Sequence, residues 1–148
     1  MKNYLIIFII SVCVLVSCMP QKYSDYSEDE IFIHFIGKYI VTSIEAEAVG
    51  VTFGSIRDQK IDYVFIVPEP NFSGPEVLSR TKVFAGSRFK VIGVYGSVGI
   101  FFQDRFYFKV VSIEPDSLSE SFYLIEFNLD YISDNAGLDE DVFLFHSG

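Results

Sequence analysis

The sequence predicts an all-β fold, a single small antiparallel barrel or sandwich, and three observations carry that expectation. Apolar and polar residues alternate over four separate stretches, as they do on strands that bury one face. Clusters of Gly, Pro, Asn and Asp punctuate the chain between those stretches. No long window shows the 3.6-residue period of a helix.

Taken in chain order, Ile31 to Ile36 reads as a strand or a short helix, and Lys38 to Ala48 as a strand. A break at Gly50–Gly54 precedes the clearest strand, Ile61 to Val67, in which Ile61, Tyr63, Phe65 and Val67 share one face while Lys60 and Asp62 start the other. Pro68–Pro75 ends it. Phe89, Val91, Gly93 and Tyr95 then alternate with Arg88 and Lys90, and Phe106, Phe108 and Val110 alternate with Tyr107 and Lys109. Between these two strands Gly93, Gly96 and Gly99 recur every third residue. That spacing matches neither a dinucleotide fingerprint nor a phosphate loop, and it fits a hairpin bend or bulge. After a break at Pro115–Ser119, Tyr123, Ile125, Phe127, Leu129 and Tyr131 form a further alternating strand. A turn at Asp134–Gly137 leads to a last strand, Val142 to Phe145.

At the other end, Lys2 precedes an apolar run from Tyr4 to Val16 of 13 residues, against the roughly 20 that a spanning helix requires and within the roughly 7–15 of a secretory core. The run closes on Leu15-Val16-Ser17-Cys18, which resembles the lipobox of bacterial lipoproteins. That resemblance implies a thioether-linked lipid on Cys18, cleavage between Ser17 and Cys18, and a lipid bilayer as partner through acyl chains such as palmitate. It places the protein in the bacterial cell envelope, and Met19, where Asp would signal inner-membrane retention in enteric bacteria, implies sorting to the outer membrane. The chain divides accordingly into a signal peptide (1–17), an acylated N-terminus with an acidic tether (18–30) and a β-domain (31–148).

Loss of the leader removes one Lys and no acid, so the formal charge moves from −9 to −10. Such a surface repels nucleic acid and disfavours flat docking on anionic lipid, and it suits a basic protein partner. Cys13 leaves with the leader and Cys18 is taken by the lipid, so the domain is expected to hold no thiol, no disulfide and no cofactor. Its stability then rests on packing of the 16 Phe and 9 Tyr, most of which lie beyond the leader.

Two short patterns resemble barrel openings. Ala85-Gly86-Ser87-Arg88 before an alternating strand resembles the turn-then-strand of oligonucleotide-binding-type folds, and Gly37-Lys38-Tyr39 more faintly resembles the start of lipocalin-type barrels. The first resemblance implies a filled interior and a function in surface loops, the second a ligand cavity.

Residues able to carry chemistry are few. His34, in Ile33-His34-Phe35, is expected half-buried and hydrogen-bonded, and His146 frayed at the C-terminus. Glu45 and Glu47, on one strand face, would stand about 7 Å apart, a glycosidase-like spacing that a solvated strand face explains more simply. Asp134, Asn135, Asp139, Glu140 and Asp141 form an acidic cluster for partner binding or weak cation binding, off the EF-hand spacing. The resulting expectation is a non-enzymatic, membrane-anchored binding or assembly module for another envelope protein. The alternatives are a cavity-bearing barrel for a small apolar ligand and, further behind, a hydrolase.

Overall fold

The structure is a computed structural model that describes residues 23–71, 73–97, 104–114 and 120–146. These residues form an all-β fold of nine strands in one sheet. The strands are β1 (Ser24–Asp25), β2 (Tyr39–Thr42), β3 (Ala46–Val51), β4 (Tyr63–Pro68), β5 (Val77–Val83), β6 (Arg88–Ser97), β7 (Arg105–Ser112), β8 (Tyr123–Phe127) and β9 (Phe143–His146). The spatial order is β5-β3-β4-β8-β7-β6-β2-β9, with β1 paired to β6 beside β2. Pairing is antiparallel throughout except between β4 and β8, which run parallel and share one bridging pair, Phe65 with Leu124.

The sheet is not closed into a barrel, contrary to that part of the expectation: β5 and β9 are its two ends. It nonetheless has to curl. β2 and β3 stand five strand positions apart, about 24 Å in a flat sheet at roughly 4.8 Å per strand. Only Ser43–Glu45 joins them, a link that reaches at most about 14 Å. The β2–β6 ladder runs on past Val41 and Arg88 into the β5–β6 turn, where the Thr42 amide donates to Ser87 O (3.0 Å), Gly86 N donates to Thr42 O (2.7 Å) and Thr42 Oγ1 donates to Phe84 O (2.8 Å). Gly86 makes that turn at φ +86°, which a side chain would strain.

Both faces of the central strands are buried, where the alternation predicted one. Val64-Phe65-Ile66, Phe106-Tyr107-Phe108 and Tyr123-Leu124-Ile125 are each buried at three consecutive positions. Val64, Ile66, Phe106, Phe108, Tyr123 and Ile125 belong to the larger core, with Ile40, Val83 and Phe89. Phe65, Tyr107 and Leu124 belong to a second core with Tyr23, Val49 and Val51. Ring packing is dense in the first, where Phe108 stacks on Phe127 at 4.2 Å, and edge-on in the second, where Tyr23 meets Tyr63 at 4.9 Å and Tyr107 at 5.1 Å.

Several expected boundaries shift for local reasons. Lys38–Ala48 is not one strand but β2 and β3 with a bend between them, and β3 runs on through Gly50. A bulge between Val91 and Gly93 changes the register of β6, so Val94 continues the face of Phe89 and Val91, and Tyr95 turns to the other face. Gly96 packs where a Cβ would lie 2.8 Å from the Phe106 ring, whereas Gly99 and the Pro115–Ser119 break lie outside the described residues. β8 stops at Phe127 because Asn128 Oδ1 accepts from Asp130 N (2.9 Å), turning Leu129–Tyr131 into a 3₁₀ turn that leaves Tyr131 62% exposed. The stretch expected as a tether is docked from Tyr23 onward: Asp25 pairs with Tyr95, Ser27 Oγ accepts from Val94 N (3.0 Å), and Tyr23 is buried while Tyr26 packs on the core. Two interleaved aromatics give this polar stretch enough apolar area to fold onto the sheet.

Candidate functional site

The last strand-to-strand connection, Asn128 to Val142, builds one wall of a large concavity. Asn128 N donates to Gly137 O and Gly137 N donates to Asp134 O, both at 2.8 Å, closing a loop on the end of β8. Within it Asn135, Ala136 and Gly137 adopt φ of 45°, 56° and 73°, a single left-handed turn. Glycine is required at its end, because a Cβ on Gly137 would lie 2.2 Å from Asn128 O. Asp139 then stops the chain, its Oδ1 accepting from Asp141 N (3.1 Å) and its carbonyl from Phe143 N (2.8 Å).

Asn135 is the keystone. Its Nδ2 donates to Phe143 O (2.7 Å) and its Oδ1 accepts from Phe145 N (2.8 Å), so one side-chain amide occupies the backbone positions that a neighbouring strand would use along the outer edge of β9. It is therefore a structural member of the acidic cluster and its side chain is engaged.

The concavity has a volume of about 920 Å³, with an apolar floor that includes Ile66, Phe106, Phe127, Leu138 and Val142. Its walls carry six carboxylates, Asp104, Glu126, Asp130, Asp134, Asp139 and Glu140, against the single guanidinium of Arg105. Asp134, Asp139 and Glu140 of the sequence-predicted cluster thus share this cleft, while Asn135 bonds to β9 and Asp141 is not part of its lining. Asp104, Glu126 and Asp130 join from the residue before β7, from β8 and from the 3₁₀ turn, a convergence that sequence distance concealed. Tyr131 and Leu129, both exposed, add an aromatic ring and an alkyl group to the lining. Among the described residues no three His, Cys, Asp or Glu side chains are grouped so as to hold a metal ion.

Arg105 is held in place from beneath. A hydrogen bond with the Tyr107 hydroxyl is the main reason its pKa is raised. Burial pushes the Tyr107 phenol up as well, and burial followed by its bond to Tyr107 pushes the Tyr23 phenol up further. The three residues link the N-terminal segment to the cleft wall.

The other candidates lie elsewhere. His34 is exposed, not half-buried, with its ring 3.9 Å from that of Phe35. The reason is the 3₁₀ turn Ile33–Phe35: Phe32 and Phe35, three apart, enter the core together, and Ile33 (58% exposed) and His34 face outward. His146 is paired with Tyr39 in β9 and is not frayed. Glu47 Oε2 accepts from Asn71 Nδ2 (2.9 Å), which with the Arg80 guanidinium beside it holds its carboxyl below the usual range. Glu45 pairs with Lys82 at 2.8 Å. Each carboxylate of the glycosidase-like spacing thus faces its own cation on β5, as a cross-strand ion pair.

No family model, no curated protein and no solved structure matches the chain.

Proposed function

We propose that this protein is a lipid-anchored, non-enzymatic binding module of the bacterial envelope that takes a basic segment of another envelope protein into its carboxylate-lined cleft. The observation that carries this reading is the cleft itself: six carboxylates around an apolar floor on a rigid sheet, with Tyr131 on the rim. A Lys- or Arg-bearing segment can set its alkyl stems on that floor and its charges on the walls. Aromatic side chains crowd both cores, which favours a surface-binding module over the alternative of an interior ligand cavity.

Capture from a solubilised envelope extract, with wild-type protein and with the Asp134→Lys, Asp139→Lys, Glu140→Lys triple variant as baits, tests the reading. Each exposed charge pair contributes about 0.2–1 kcal/mol, so reversing three weakens binding by about tenfold or more. A basic protein retained by the wild type and lost with the variant, and also lost at high salt, is the expected result. Identical retention by both baits refutes the cleft as the binding surface. Mass spectrometry of the mature N-terminus tests the anchor: acyl mass is expected on Cys18, and the precursor of Cys18→Ser should remain unlipidated and uncut at that site.

A further inference from the structure

We propose that Tyr107 is a positioning residue for the cleft: it holds Arg105, the one cation of the lining, on the second face of the sheet, so that the carboxylates of the Asn128–Val142 connection stay open to a cationic ligand. The proposal rests on the reading of the cleft as the site for a basic segment. A cavity lined by six carboxylates and one guanidinium carries its own competitor for that ligand. Arginine keeps its charge at every working pH, on a flexible stem with five donors, and it pairs readily with carboxylates. Asp130, Asp134, Asp139 and Glu140 face no cation within ion-pair distance among the described residues. Arg105 lines the same cavity without pairing with them, so something restrains it.

The restraint is built into β7 and the strands beside it. Alternation along β7 sends Phe106 to the larger core, where it also floors the cleft, and sends Arg105 and Tyr107 to the other face. Two residues apart on one strand face is a separation of about 7 Å, which an arginine laid along the strand can span. The guanidinium does so by donating to the Tyr107 hydroxyl, and this bond is the main reason the Arg105 pKa is raised. The Tyr107 ring cannot follow a wandering partner. It is 3% exposed, lies between Phe65 at 5.3 Å and Tyr23 at 5.1 Å, and has its hydroxyl bonded to that of Tyr23 as well. Tyr23 in turn meets Tyr63 edge-on at 4.9 Å. Packing thus fixes the acceptor in place, as a group that is to hold a flexible side chain must be fixed. Glu126, opposite Tyr107 in the β7–β8 register, adds its attraction there. Released from the Tyr107 oxygen, the guanidinium would lean into the cavity, where charges act on one another over about 8–10 Å at ordinary salt. It would then offset part of the negative field that draws a Lys or Arg of the ligand.

Binding of a fluorophore-labelled pentalysine amide to the full mature protein in non-ionic detergent, followed by fluorescence anisotropy, tests the proposal. The amide leaves no carboxylate for Arg105 to bind. Tyr107→Phe, which removes only the hydroxyl, should weaken binding by about threefold, within the range of one exposed charge pair, and the difference should disappear at high salt. Arg105→Gln should tighten binding by at least about twofold. In the Arg105→Gln background, Tyr107→Phe should change nothing, because the hydroxyl acts only through the guanidinium. A loss from Tyr107→Phe that persists in that background assigns the hydroxyl a direct part in shaping the cleft and overturns the proposal. Unchanged or weaker binding by Arg105→Gln overturns it too, and that single variant leaves the buried phenols intact. If the probe binds the Asp134→Lys, Asp139→Lys, Glu140→Lys variant as well as the wild type, the cleft reading fails and this proposal with it. Loss on that variant together with no change from Tyr107→Phe refutes the proposal while the cleft reading stands.

Discussion

Replacing Asn135 separates two contributions that the structure assigns to one residue. Its amide makes two hydrogen bonds to the β9 backbone, at 2.7 and 2.8 Å, and its own φ is +45°. Truncation to Ala leaves Phe143 O and Phe145 N without these partners, at about 0.5–1.5 kcal/mol per bond. It also places a residue without a local side-chain bond in the left-handed region, which costs about 1 kcal/mol more. Asn135→Ala should therefore destabilise by about 2–4 kcal/mol. Asn135→Gly loses the same bonds but tolerates the backbone angle, so it should be the milder of the two by about 1 kcal/mol. Urea denaturation of the mature protein in detergent, followed by tyrosine fluorescence and far-ultraviolet dichroism, measures both at constant slope. A loss under about 0.5 kcal/mol for Asn135→Ala would show that the amide does not hold the β9 edge. Equal losses for Ala and Gly would show that the left-handed angle carries no strain.

Alkaline pH probes the buried phenols. With folded pKa values of Tyr23 and Tyr107 raised chiefly by burial, their contribution is fully present below the ordinary phenol value of about 10 and is lost as pH rises from there through the raised values. Urea midpoints should fall above about pH 10, and Tyr23→Phe should flatten that fall; an unchanged slope would place the coupling elsewhere. His34→Ala should change stability by less than about 0.5 kcal/mol, as expected of an exposed ring on a turn, and thermal melting at neutral pH suffices to check it. A loss of several degrees would mean that His34 supports the packing of Phe35.

The fold class was legible because strand alternation is local. Tyr63, Phe65 and Val67 do share a face, and so do Phe106, Phe108 and Val110. The same alternation concealed that Tyr107 and Leu124 are buried too, since an aromatic or alkyl residue on the second face reads as an exception until another core covers it. The Gly93 bulge was anticipated as a feature, but its effect on Tyr95 was not, because a register shift is a property of a strand pair. Tyr131 kept the apolar rhythm of β8 after the chain had left the sheet, the Asn128 side chain having ended the strand. The acidic cluster was visible at 134–141 as a charge run, yet half of the cleft's carboxylates come from Asp104, Glu126 and Asp130, which only tertiary folding brings near. Ile33 and Phe35 suggested burial for His34, and a turn with a period of about three residues reversed it.

The single parallel bridge between Phe65 and Leu124 also says something about how the molecule assembles. On one side of that seam, β3, β4 and β5 follow one another in the chain; on the other, β6, β7 and β8 form a meander. Each group can zip from nearby residues, whereas the seam joins strands some 60 residues apart and must await loop closure. The two groups are thus the natural cooperative units, with the seam formed after each has zipped and opened before either unravels. Amide exchange under mildly destabilising conditions should release protection along β4 and β8 at the seam before it releases the β6–β7 hairpin. The cleft wall straddles this joint, with Ile66 to Pro68 on one unit and Glu126 to Tyr131 on the other. A ligand that grips both walls would act as a clamp across the joint, slowing its opening and raising kinetic stability without any change in the fold.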